Sequence, residues 1–144
     1  MTPPRPILLI FWSLHRTVRR VSRGRIGTRR AKGDGLGTLF LHTIGRRSAQ
    51  SRANGLFYIV DGQDLIVVAS NAGGGNDPAW ALNLRSQPAA EVEIGGERRS
   101  VHAREATAHE LDRLWRRLVA ANPDYDAYRA TAGRPIPVFI LEPR

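Results

Sequence analysis

Between Gly37 and Gly45 the chain reads TLFLHTI, an apolar run broken by single polar residues and bounded by glycine on both sides. That pattern predicts a strand over Thr38 to Ile44. LFYIV (Leu56 to Val60) and LIVVAS (Leu65 to Ser70) flank DGQD, which predicts a β-hairpin with Asp61-Gly62 at the turn. NAGGGN (Asn71 to Asn76) is a loop of small residues. Asp77-Pro78 then predicts a helix start, with Asp as N-cap and Pro at the first helical position, and a helix over Ala79 to Ser86 that stops before Pro88. Val92 and Ile94 alternate with Glu91 and Glu93, a strand with one wet face, and Gly95-Gly96 turns it into a partner over Arg98 to Glu105. Thr107 and Glu110 stand at capping-box spacing before a helix with Leu111, Leu114, Trp115, Leu118 and Val119 on one face. A helical piece over Asp124 to Ala132 and an apolar strand over Ile136 to Leu141 follow. Upstream, Ile7, Phe11, Leu14, Val18 and Val21 recur at helical spacing, and Gly33 to Gly37 reads as a flexible joint.

Six strands joined mostly by hairpins, with helices inserted between them, exclude the strict βαβ alternation of a doubly wound sheet. The expected class is α+β, mainly β. It is a small barrel of about six mostly antiparallel strands with peripheral helices and an N-terminal amphipathic helix. The chain of 144 residues suits one globular unit. The pattern divides it into an arm, 1–37, and a barrel domain, 38–144.

Charge changes the picture of the arm. Of 22 basic residues, nine precede the first acid, Asp34, and the other 13 meet 13 acidic residues, so the whole excess of +9 belongs to the N-terminal segment. Its apolar run, Ile7 to Trp12, is shorter than the roughly 20 residues that span a bilayer. Arginines follow the run, and no small-residue cleavage site appears, so it does not read as a targeting signal. Three readings stay open: packing of the apolar face on the domain, peripheral attachment to an anionic membrane through residues 5–32, and, least supported, nucleic-acid binding. The absence of cysteine excludes disulfides and thiolate chemistry and fits a reducing cytoplasm.

Candidate chemistry is sparse. His15, His42, His102 and His109 form no metal-ligand spacing, no hydrolase motif or P-loop is present, and no carboxylate pair stands out. A structural role suits each histidine, no metal site is expected, and an enzyme of this kind needs a cofactor to carry its reaction. GRRSAQSR (Gly45 to Arg52) combines Arg46, Arg47 and Arg52 with Ser48 and Ser51. Backbone N–H groups, hydroxyls and guanidinium groups there suit a phosphate, though a solvated hairpin loop has the same composition. NAGGGNDPAW leads into a helix N-terminus, with Trp80 either a flat wall for a planar ring or plain core. Tyr125 and Tyr128 share a helix face, closing the barrel or pointing into a pocket.

These segments in this order resemble the deazaflavin-dependent nitroreductase family, the flavin/deazaflavin oxidoreductases that include F420H2-dependent quinone reductases. The resemblance spans roughly Pro6 to Pro143. It is carried by the T-x-G-R-[RK]-[ST]-x-Q-x-R block at Thr43 to Arg52, by VASNAGG and DPAWALNLRSQP, and by LWRRLV, NPDYDAY and PIPVFILEP. It implies a split β-barrel that binds coenzyme F420, the 8-hydroxy-5-deazaflavin with an anionic phosphodiester and polyglutamate tail. The residues matching the family's phosphate site are Arg46, Arg47, Ser48 and Arg52. Ala53, Asn54, Gly55, Leu56 and Phe57 match residues lining the cofactor. Val68, Ala69, Ser70 and Asn71, and Ala79, Trp80, Ala81, Leu82 and Asn83, match segments bordering the ring.

By the same resemblance the reduced cofactor passes a hydride from its central ring carbon to a quinone or nitro-aromatic acceptor. Ser70 would hydrogen-bond a developing oxyanion, and Tyr125 would orient the acceptor or supply a proton. Asn71 and Asn122 stand where relatives can carry lysine and tyrosine, which leaves activity on bulky bicyclic nitroimidazoles open. The expected setting is cytoplasmic, with or without peripheral attachment to the inner face of the cell membrane, as a monomer or homodimer, without nucleic acid. Two rivals remain: a split-barrel protein for FMN or haem, and a non-enzymatic basic module for membranes or nucleic acid.

Overall fold

A computed structural model describes residues 28–144. Most of the expected amphipathic helix lies outside the described residues. Six strands form a closed antiparallel barrel, with β1 (Gly37–Ile44), β2 (Ser51–Asp61), β3 (Asp64–Val68), β4 (Ala89–Ile94), β5 (Glu97–Glu105) and β6 (Val138–Pro143) in the order β1-β2-β3-β6-β5-β4. Pairing of β1 with β4 closes the ring. Three helices decorate it: α1 (Ala79–Ser86), α2 (Ala108–Ala121) and α3 (Asp124–Ala132).

Period-2 alternation sorts the apolar residues into two cores. Leu39 and Leu41 of β1, Leu65 and Val67 of β3, and Phe139 and Leu141 of β6 fill the barrel with Trp80 and Leu84 of α1. The alternate positions, Ile66, Val68, Val138 and Ile140, face outward onto Leu114, Trp115 and Leu118 of α2 and Tyr125 and Tyr128 of α3. β6 is apolar throughout because both its faces are covered. Truncating a buried leucine such as Leu114 to alanine in a site of this kind costs about 2–5 kcal/mol, which seats the helical layer firmly on the barrel.

The turns follow their chemistry. Gly95 and Gly96 both have positive φ, 59° and 85°, as a two-residue turn with two left-handed positions requires. The β2–β3 turn centres one residue later than expected, on Gly62-Gln63, since Asp61 pairs with Asp64. The capping box of α2 is complete: Thr107 accepts from the Glu110 backbone N–H and Glu110 accepts from that of Thr107.

Three local expectations are corrected. Pro78, not Asp77, occupies the N-cap of α1, because the Asp77 carboxylate is drawn to Arg85 and Arg134. Glu93 is buried instead of wet, as its Oε1 lies 2.6 Å from Nε2 of His42, itself buried on the neighbouring strand. Gly37 is no joint. It pairs within β1, and a Cβ there would lie 2.5–2.6 Å from the Tyr58 ring and the backbone of Ala31 and Arg29. Residues 28–31 already rest on the barrel: Thr28 accepts from Gly95 N–H at 2.8 Å, Arg29 bridges Thr38, and Ala31 N–H donates to the Tyr58 hydroxyl at 2.9 Å.

Candidate functional site

A cavity of about 190 Å³ opens at the seam of the two cores. Leu56 and Trp80 reach it from the barrel side, and Val68, Tyr125 and Tyr128 from the helical layer. Asn54, Gly55 and Phe57 of β2, Ser70, Asn71 and Ala72 of the following loop, Pro78 and Asn122 complete the lining. Trp80 therefore does both things considered for it. It is buried edge-on against Phe139, with ring centroids 5.7 Å apart, and still presents a wall to the cavity.

No carboxylate lines this cavity. The Tyr125 ring is 4% exposed, and its hydroxyl has no hydrogen-bond partner among the described residues. A buried, unsatisfied hydroxyl facing a cavity calls for a ligand or water to meet it. Burial, and next the neighbouring Tyr128, push its pKa well above the ordinary phenol value. Burial and then Asp124 raise that of Tyr128 as well. Both rings are thus held as neutral O–H groups, suited to donating a hydrogen bond. A phenolate left behind by full proton transfer would be costly here. The Ser70 hydroxyl lines the cavity and is also without a partner among the described residues.

β1 and β2 pair out to Ile44 and Ser51, so Gly45 to Gln50 form the connecting loop. Its tight path needs Gly45, where a Cβ would lie 2.6 Å from Oγ of Ser48, and it sets Ala49 at a left-handed φ of 58°. The expected backbone cradle is largely taken up internally. Gly45 N–H bonds Gln50 O, Ala49 N–H bonds Gly45 O, Gln50 N–H bonds Ser48 Oγ, and Arg46 N–H bonds Oδ1 of Asn83. The loop therefore presents its charge through its side chains. Arg46, Arg47 and Arg52 are exposed, and none of their guanidinium groups has a carboxylate partner among the described residues. From Leu56, on the cavity wall, to Arg52 is about 13 Å along the strand.

Of the residues expected to bind a cofactor, Asn54, Gly55, Leu56, Phe57, Val68, Ser70, Asn71 and Trp80 line the cavity together with Tyr125. Arg46, Arg47, Ser48, Arg52 and Ala53 lie away from it, on the loop and the near end of β2. Ala69 and Ala81 are fully buried in the barrel core and stand outside the cavity lining. Ala79 and Leu82 lie on α1 outside the lining. Asn83 has a supporting place: its buried amide donates to Thr43 Oγ1 at 3.1 Å and accepts from Arg46 N–H at 3.1 Å, tying α1 to the arginine loop. Pro78 and Ala72 also line the cavity, although the sequence pattern gave neither a binding role.

The closed six-stranded barrel, with an aromatic-walled cavity at its seam and a cationic loop beside it, is a split β-barrel. The family model described as F420H(2)-dependent quinone reductase matches residues 12–143, and the chain belongs to that family. The F420H(2)-dependent quinone reductase Rv1261c of Mycobacterium tuberculosis strain H37Rv is 36% identical over 134 residues, covering 91% of this chain and 89% of the relative. The solved F420-H2 dependent reductase FDR-A superposes with a TM-score of 0.67 at 30% identity, over 73% of this chain and 93% of that one. A second solved chain, described as a domain-swapped dimer, gives 0.69 at 27% identity, over 92% and 98%. No helix among the described residues is long and apolar enough to cross a membrane.

Proposed function

We propose that this chain binds reduced coenzyme F420 across the seam cavity and the arginine loop and delivers its hydride to a quinone. The carrying observation is the pairing of an uncharged, aromatic-walled cavity with three guanidinium groups that lack carboxylate partners among the described residues, two on the loop before β2 and one at the start of that strand. The parts fit the group. Apolar walls suit the ring, the unsatisfied Tyr125 and Ser70 hydroxyls suit its polar edge or the acceptor's carbonyl, and Arg46, Arg47, Ser48 and Arg52 suit the phosphodiester.

Bound there, the reduced deazaflavin supplies a hydride from its central ring carbon. Trp80, Leu56 and Val68 exclude water from the ring face. Tyr125 donates its O–H to a quinone oxygen as negative charge develops on it, and its raised pKa keeps that proton in place until then. Ser70 is a second donor within the same cavity. Fluorescence titration with coenzyme F420 and with FMN, followed by oxidation of the reduced coenzyme with a menaquinone analogue, tests the reading. Tight F420 binding and quinone-dependent oxidation are expected; micromolar FMN binding without F420 binding overturns it.

The charge excess of residues 1–32 supports a second part of the proposal, peripheral attachment to an anionic membrane, where quinones reside. Co-sedimentation with anionic vesicles should be lost on deleting those residues; undiminished binding removes this part alone.

A further inference from the structure

We propose that Arg134 is the positioning residue of the cavity's loop wall, holding residues 69–77 in the shape that presents Ser70 and Asn71 to the acceptor. α3 ends at Gly133, whose φ of 65° turns the chain sharply back. The next residue, Arg134, thereby reaches beneath the loop with its side chain only 13% exposed. All five N–H donors of the guanidinium find acceptors: Nε on Gly74 O at 3.0 Å, Nη2 on Ala69 O at 3.2 Å and Ser70 O at 3.3 Å, and Nη1 on Asp77 and on Pro135 O at 3.3 Å. One cation thus gathers three carbonyls of a single loop and is neutralised by the carboxylate at the loop's end.

The loop needs holding. Asn71, Ala72 and Gly73 follow one another in the left-handed region, at φ of 47°, 53° and 80°. For alanine that conformation is disfavoured and persists only where the surroundings over-determine it. Gly73 is pressed against α3, where a Cβ would lie 2.6 Å from Oγ1 of Thr131. Within the loop itself, Gly73 N–H to Ser70 O, Gly74 N–H to Asn71 O and Asn71 Nδ2 to Asn76 O oppose unwinding. Lysine at 134 keeps the charge opposite Asp77 but cannot fork to three carbonyls.

This inference rests on the reading of the cavity as the site of hydride transfer, and its first arm does not depend on that reading. In cofactor-free Arg134→Ala, amide hydrogen exchange should rise sharply at Gly73 and Gly74 while α2 and β5 keep their protection. Arg134→Lys should fall between the two. In the second arm, kcat with a menaquinone analogue should drop about tenfold to a hundredfold in Arg134→Ala. F420 affinity should fall by less than kcat does, because the arginine loop proposed for the anionic tail is untouched while the ring end of the cavity shares the loop wall. Unchanged exchange at Gly73 and Gly74, or full restoration by lysine in both arms, overturns the proposal. Increased exchange in a protein whose wild type does not bind F420 overturns the functional reading and leaves the clamp standing.

Discussion

Two sets of arginines divide this molecule. Around the β2–β3 turn, α2 and the loop wall, Arg85, Arg104, Arg113, Arg117 and Arg134 each hold at least one carboxylate within 3.0 Å. On the β1–β2 loop, Arg46, Arg47 and Arg52 hold none among the described residues. Both sets come from the same arginine-rich composition, so residue type alone does not distinguish them. Pairing does. An arginine whose charge is met inside the fold fixes one element to another. An exposed cluster of like charge, left without counter-charge beside a cavity that has none either, costs repulsion and is relieved by an anion.

The strongest way to break this contrast is on the loop. Arg47→Ala and Arg52→Ala should each weaken F420 binding by about 1–3 kcal/mol, roughly 5- to 150-fold, through lost charge-assisted hydrogen bonds. Stability should change by no more than about 0.5 kcal/mol, since no internal partner is lost. Titration by deazaflavin fluorescence beside thermal melts reads both quantities. A loop variant that melts early with its affinity intact would place these arginines with the structural set.

Arg117 offers the opposite case with a smaller effect. It is half-buried, donates to Val60 O at 2.6 Å and Asp61 Oδ1 at 3.0 Å, and reaches Asp34 at 3.4 Å. Asp61 keeps Arg113, so Arg117→Met strands only part of the network. The expected cost is about 1–2 kcal/mol of stability, a fall in Tm of about 3–8 °C. F420 affinity should be unaltered. A loss of affinity greater than the loss of folded protein would show that the paired set also shapes the site.

Most of the architecture was legible because it rests on local rules. Alternation in β3 and β6, the Gly95-Gly96 turn and the Thr107–Glu110 cap each carry their cause within a few residues. What escaped depends on partners distant in sequence. Glu93 read as solvent-facing because its partner, His42, lies 51 positions away. Asp77 read as a helix cap because Arg134, which claims its carboxylate, is 57 positions downstream. The arginine loop was recognised from its composition, yet the uptake of its backbone N–H groups by Gln50, Ser48 and Asn83 follows from the folded path alone.

The paired set should also be the acid-sensitive one, and Glu110 gives the smallest and cleanest test. Its carboxylate accepts from Arg104 at 2.7 and 2.8 Å and from Thr107 N–H at 2.9 Å. The Arg104 hydrogen bond first, and the backbone bond second, lower its pKa from 4.5 to about 2. A carboxylate with a depressed folded pKa contributes fully above its unfolded value and loses that contribution as protons bind it in the fold. The window is therefore pH 4.5 down to about 2. Glu110→Gln keeps a capping side chain but not the charge. At pH 7 it should be less stable than wild type by about 1 kcal/mol, given the partial exposure of the pair. That gap should close as pH falls through the window. Asp61, whose pKa the Arg113 hydrogen bond lowers, and Asp64, whose pKa burial raises, both feel the Glu110 charge only as the smallest of their causes, so most of their titration is common to the two proteins. Denaturant melts at steps from pH 7 to 2.5 would reveal it, and a gap that stays constant would mean that the Arg104 pair contributes packing and not charge.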